Sequence, residues 1–260
     1  MLAAGLVGCG PVAMVRVPAG SFDVRVPGDP PVAGRVVVST FWLDATEVTA
    51  LAYASCVAVR SCTAPATGEH CTFGKSDQAT HPINCVTPAQ AGAYCAFAGK
   101  RLPTELEWEY AARGGQERRY PWGDAELDAT RLNACGTECV APVGSPSPQQ
   151  RTVYPATDGW PATAPVGSFP AGKSPFGALD MAGNVWEITS TRASLDPHAW
   201  VSGVSLPNEE PRAQGASAPL GFVIRGGGWR DTRAERVRST SSRVIAAETW
   251  EDQTGFRCAR

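Results

Sequence analysis

The sequence predicts an α+β fold with little regular secondary structure and many loops. Three observations carry that expectation. The 260 residues include 27 glycines and 22 prolines, too many for a helical or doubly wound protein and enough to fill the chain with turns. Two segments carry complete helix-start signatures, at Thr87 and at Thr104. From Gly123 to the end there are short strand-like pieces among Gly, Pro and aromatics, and no long periodic segment. With 43% apolar residues the chain can still bury a real core.

Taken in order, residues 10–45 alternate apolar and polar residues around turn signals, and Arg35 to Leu43 reads as one strand rich in β-branched and aromatic residues. Gly28 to Pro31 is a turn. Thr49 caps a helix to about Val59, with Leu51, Ala54, Ser55 and Ala58 on one face. Residues 60–84 form a cysteine-punctuated loop. In Thr87-Pro88-Ala89-Gln90 a threonine N-cap is followed by proline at N1 and glutamine at N3, and the helix stops at Gly99. Thr104 to Glu107 repeats the capping box, with acids early, Arg113 in the last turn and Gly114 as the stop. The Pro/Gln-rich patch from Ser145 to Pro155 is an excursion rather than a linker. Gly221 to Arg225 is a strand, and no internal repeat is present.

Formal net charge is −2, and no basic block interleaves with aromatics, which argues against nucleic acid as a partner. Nine cysteines occur. The eight after Cys9 form an even set spread along the chain, which reads as a disulfide framework made in an oxidising compartment. The rival reading is zinc held by Cys135, Cys139 and a pair such as His70 and Cys71. The opening MLAAGLVGCG ends in a stretch similar to the bacterial lipobox, in which the cysteine becomes the lipid-bearing N-terminus. Residues 1–9 are therefore read as a remnant signal segment with Cys9 lipidated, and residues 10–260 as a single domain. The expected location is the periplasm or outer envelope of a bacterium. No later run approaches the ~20 continuous apolar residues of a membrane-spanning helix.

Motifs then accumulate along nearly the whole chain after Cys9: MVRVPAGSF from Met14, FWLDATEVT from Phe41, HPINCVTPAQAGAYCAFAGKRLPTELEWEYAARGG from His81, YPWG from Tyr120, TAPVGSFP from Thr163, FGALDMAGNVWE from Phe176, RGGGW from Arg225 and GFRCAR from Gly255. In this order they resemble the formylglycine-generating enzyme (sulfatase-modifying factor) family. The resemblance implies one domain with a C-type-lectin-like core, few helices and much irregular structure. It also implies a bridge between Cys95 and Cys258. The other six cysteines, Cys56, Cys62, Cys71, Cys85, Cys135 and Cys139, then have fifteen possible pairings, among which a local Cys135–Cys139 bridge is one.

The family's name-giving reaction oxidises a sulfatase cysteine with molecular oxygen, using Cu(I) held by two cysteines between the two C-terminal anchors. Soft thiolates suit that ion. Here no cysteine lies between Arg225 and Gly255; Glu235 and the run Ser239 to Ser242 stand in that stretch. Copper is accordingly not expected. Branches without the pair include the second domain of nonheme-iron sulfoxide synthases and proteins of periplasmic siderophore maturation. His70, His81 and His198 make no recognisable facial triad, so iron stays open.

Calcium is the family feature that carries over. The resemblance places Asp180 and Glu187 as side-chain ligands, with the carbonyls of Gly183 and Val185 between them. A second set would be Asn133, the Ala134 carbonyl, Asp158 and the Trp160 carbonyl, joining loops with all-oxygen donors as a hard cation demands. Without metal, Asp158 and Asp180 would be turn formers and Glu187 would pair with an arginine. Arg225, Arg230, Arg233, Arg236, Arg238 and Arg243 crowd the segment that forms the active groove in relatives. They read as a cleft for a peptide, protein or small-molecule ligand, with Glu235 as candidate acid or base, or as a solvated network with Asp231, Glu248, Glu251 and Asp252. Trp229 and Trp250 either line that cleft or pack. The expected function is an exported, non-copper binding or accessory module on the cell envelope. The alternative is an oxidoreductase or tautomerase of the same family, nonheme-iron or Glu235-dependent, and a true sulfatase-cysteine oxidase comes last.

Overall fold

The computed structural model describes residues 12–26, 32–139, 152–195 and 220–260. Cys9, His198 and residues 145–151 of the Pro/Gln-rich patch lie outside them. Among the described residues, three small sheets and three short α-helices carry the fold. Strand β1 (Met14–Val17) pairs antiparallel with β4 (Phe41–Asp44), and β2 (Gly20–Val26) with β3 (Val32–Val38). The third sheet has the order β7-β6-β5-β8, from Ser242–Ile245, Leu220–Arg225, Trp186–Ser194 and Thr254–Gly255. Its β5–β8 pair is parallel.

The single strand expected from Arg35 to Leu43 is two. Val36, Val38, Phe41 and Leu43 are buried, while Ser39 and Thr40 are both exposed, so the alternation slips by one there. The Thr40 hydroxyl accepts the Ala19 N–H at 2.9 Å and fixes the corner. Each half then finds a different partner, which preserves the inward face of both.

Helix α1 (Ala50–Ala58) is capped by Thr49, as expected, but it buries Ala50, Tyr53 and Cys56, while Leu51 is exposed. The expected face was off by about one position because small residues surround the helix and blur its period. Helices α2 (Pro88–Phe97) and α3 (Glu105–Arg113) begin with full capping boxes at Thr87/Gln90 and Thr104/Glu107. α3 stops where Gly114 takes a left-handed φ of 67°. The 60–84 segment is a loop with one 3-10 turn, Ser76–Gln78.

α1 and α2 pack on the four-stranded sheet through Tyr53, Tyr94, Ile83 and Phe256. Fully buried apolar side chains such as Ile83 and Phe256 contribute about 1.5–3 kcal/mol each. α3 closes a second core with the N-terminal strands, around Phe22, Leu43, Trp108 and Met181. A smaller third core, Tyr120, Leu132, Tyr154 and Val237 among its members, lies under the candidate site. The last residues stitch both ends together: Trp42 N–H donates to the Arg260 carbonyl and Arg101 N–H to that of Ala259. Among the described residues no helix is long and apolar enough to cross a membrane.

Candidate functional site

All eight described cysteines are bridged, as Cys56–Cys62, Cys71–Cys85, Cys95–Cys258 and Cys135–Cys139. The zinc reading is thereby overturned: Cys135 and Cys139 bind each other, and Cys71 binds Cys85. The Cys95–Cys258 bridge ties α2 to the last strand's extension, and Cys135–Cys139 closes a loop of only four residues' separation.

The arginine-rich segment separates into different environments. Arg225 ends β6 under the surface and pairs with Glu105 and Glu109, both at 2.9 Å; it does not line a groove. Beyond it, Gly226 and Gly227 adopt φ of 98° and 79°, a turn closed to side chains because a Cβ on Gly226 would crowd the Trp108 ring. Trp229 packs inside, its ring 5.1 Å from that of His70 and beneath the Arg230 guanidinium. Arg230 pairs with Asp252 at 2.8 Å, and Arg243 pairs with Glu251 while lying over Trp186. The charge of Arg243 holds the Glu251 carboxyl below its usual range against the opposing effect of burial. Asp231 accepts from the Trp186 indole, and burial pushes its carboxyl up. So the network reading accounts for Arg230 and Arg243. Arg233 is exposed, and Glu235 projects to solvent, 4.0 Å from Arg238. Trp250 is also exposed. Ser239 is buried with its hydroxyl unbonded.

The two calcium sets stand wall to wall. Asp180 and Asn184 both take a left-handed φ of 57°, and Gly183 between them takes 81°. A Cβ on Gly183 would strike the Asn133 carbonyl, and the Asn184 N–H donates to that carbonyl at 2.8 Å. Glycine at 183 is what lets the two loops touch.

In the first set Asp180 accepts the Gly167 N–H at 2.6 Å. Glu187 is held by Arg257, at 2.6 Å from Nε and 2.8 Å from Nη2, and by the Trp108 indole at 2.8 Å. The arginine partner considered for Glu187 is thus Arg257, fully buried with it. Sequence reasoning missed Glu47, which is fully buried beside Asp180 with neither carboxylate oxygen accepting a hydrogen bond. Burial pushes Glu47, Asp180 and Glu187 up, and the Arg257 charge pulls all three back. With Glu187 committed to Arg257 and Trp108, this set offers a cation fewer free oxygens than its sequence implies.

In the second set Asn133 donates from its amide nitrogen to the Ala162 carbonyl at 2.9 Å, while its amide oxygen is buried and unpartnered. Asp158 accepts from the Trp160 N–H at 2.8 Å and lies 2.6 Å from the Tyr154 hydroxyl. Burial, with help from nearby Glu138, raises its carboxyl to about 6. Glu138, also missed in the sequence, accepts the Asp158 N–H at 3.4 Å through one oxygen; the other is buried without a partner. Trp160 packs edge-on to His81, whose Nδ1 lies 3.0 Å from the Thr163 hydroxyl. Orphaned buried oxygens in an all-oxygen set are what a hard cation requires, so these residues fit calcium. Among the described residues no three His, Cys, Asp or Glu side chains converge on one point; amide and carbonyl oxygens would have to complete either set.

Comparison with known families matches residues 10–260 to the sulfatase-modifying factor enzyme 1-like domain. The chain belongs to this family. It is 36% identical over 187 residues to the formylglycine-generating enzyme of Mycobacterium tuberculosis, covering 70% of this chain and 58% of that protein. It is 33% identical over 191 residues to the inactive C-alpha-formylglycine-generating enzyme 2 of Bos taurus, covering 72% and 52%. The chain thus spans little more than half the length of these curated relatives. Among solved structures, PvdO from Pseudomonas aeruginosa superposes with a TM-score of 0.70 at 27% identity, covering 95% of this chain and 93% of that one. The fold is of the formylglycine-generating enzyme type, as the motifs implied.

Proposed function

We propose that this chain is an exported binding or accessory module of the cell envelope that keeps the family scaffold without a copper centre. One observation carries the reading: every described cysteine is spent in a disulfide, and the segment from Arg225 to Gly255 contains none. Cu(I) binding of the family kind needs thiolates, and hydroxyls, guanidinium groups and a solvent-facing Glu235 are poor substitutes. Four bridges also suit an oxidising compartment, in line with export and a lipid anchor at Cys9. Calcium would serve as a structural ion, bridging the Asn133 and Asp158 loops and supplying positive charge there. The ligand would be a peptide, protein or small molecule taken by the segment that carries Arg233, Arg236 and Arg238.

The test is a Cu(I) competition titration of the oxidised protein, paired with a peptide-oxidation assay on a cysteine-containing sulfatase peptide. The protein is expected to lose Cu(I) to a thiol-free chelator and to form no aldehyde. Stoichiometric retained copper with aldehyde formation would overturn the reading.

A further inference from the structure

We propose that Glu138 is a further side-chain donor of the Asn133–Asp158 site, so that two carboxylates and one amide oxygen together take a calcium-class cation. The inference rests on reading that site as a cation site and adds a residue that the family pattern does not supply. Its basis is the loop Cys135 to Cys139. The bridge between those cysteines closes the loop, and the backbone holds it on both sides, with Val153 N–H donating to the Cys135 carbonyl at 2.8 Å and Thr137 N–H to that of Ala156 at 2.9 Å. Within it Gly136 is the residue that lets the Glu138 carboxylate fold back. A Cβ at position 136 would stand 2.7 and 2.9 Å from the two Glu138 oxygens.

That folding brings Glu138 against Asp158, and two carboxylates in contact repel unless something positive separates them. No described arginine or lysine forms an ion pair with either. The second observation is Asn133, 1% exposed, with its amide oxygen unpartnered. Its amide nitrogen is fixed on Ala162, in the same turn that presents Asp158 and Trp160, and the next residue's N–H donates to Asp158 at 3.2 Å. Two buried oxygens, Glu138 Oε2 and Asn133 Oδ1, therefore lack a donor, while Asp158 accepts from the Trp160 and Ala134 N–H groups and the Tyr154 hydroxyl. Amide and carboxylate oxygens at such a junction select calcium over softer ions, and over magnesium, which keeps its waters.

The experiment is isothermal titration of the full chain with calcium chloride, run on the parent protein, Asp158→Asn and Glu138→Gln, with thermal melts in chelator as a fold control. Both variants are expected to lose at least tenfold in affinity for one calcium, while Glu138→Gln melts no lower than the parent in chelator. Glu138→Asp keeps the charge but is one methylene short; it too should bind calcium more weakly. If Asp158→Asn weakens binding and both Glu138 variants bind like the parent, the role of Glu138 is refuted and the site stands. If the parent binds no calcium, or neither position changes its binding, the site reading falls and the inference with it.

Discussion

Around Arg257 three buried carboxyl groups, Glu47, Asp180 and Glu187, face a guanidinium that the chain itself supplies. Around Asp158 a second carboxylate and an orphaned amide oxygen face no such group. The two clusters share a wall at Gly183 and Asn133, so they differ in counter-charge rather than in surroundings. A fixed arginine makes the first cluster part of the fold, because removing either partner strands a buried charge. On the calcium reading proposed above, the second cluster would draw its counter-charge from a bound ion, whose occupancy solution conditions would set. In this pair of loops the chain supplies one permanent counter-charge, Arg257, and none of the described residues supplies one at Asp158.

The largest effect should come from breaking the permanent one. Arg257→Met leaves Glu187 with the Trp108 indole as its remaining donor and removes the charge that moderates Asp180 and Glu47. We expect a loss of about 3–5 kcal/mol, read as a shifted urea midpoint, and calcium should not restore it. A variant within 1 kcal/mol or so of the parent would mean that the buried acids need no arginine.

Glu47→Gln probes the same cluster from the other side. Three buried carboxyl groups share one guanidinium, burial pushes all three up, and Glu47 is the acid without an acceptor bond of its own. Its amide analogue carries no charge for burial to penalise and brings a permanent donor toward Asp180. Urea unfolding in chelator should show the variant more stable than the parent by roughly 1–2 kcal/mol at neutral pH. Destabilisation would show that Glu47 is charged and matched in the folded state.

How legible these features were in the sequence depends on how local their causes are. Helices α2 and α3 were readable to the residue at their starts because Thr87 with Gln90, and Thr104 with Glu107, close their capping bonds within one turn. The face of α1 was not, because alanines at several positions give its period little contrast. The corner at Ser39 and Thr40 escaped notice for want of glycine or proline; two consecutive polar residues in an alternating run were its signal. The Cys95–Cys258 bridge and the family fold followed from the motif resemblance, not from spacing. Cys56–Cys62 and Cys71–Cys85 were two among many pairings. Of the site, Asn133, Asp158 and Asp180 were named from the motifs, but Glu47 and Glu138 acquire meaning through partners at long range or through a folded-back loop, which no local pattern announces.

The smallest effect belongs to the outer wall of the Asp158 cluster. His81 packs on Trp160 and faces Thr163, with Asp77 as the nearby acid; burial holds its imidazole below the ordinary 6.5 despite the upward pull of those two. The folded protein therefore keeps His81 neutral at pH values where the unfolded chain has already taken up a proton. Stability should be unaffected above pH 6.5, and should fall as pH drops from there towards the folded-state value, because the unfolded chain binds more protons across that window. His81→Gln keeps a hydrogen-bonding group near Thr163 and cannot titrate. Urea unfolding at pH 7.5 and 5.5, in saturating calcium, should show a pH-dependent loss that is smaller in the variant by less than about 1 kcal/mol. An identical loss in both proteins would place the acid sensitivity elsewhere and leave the wall as packing alone.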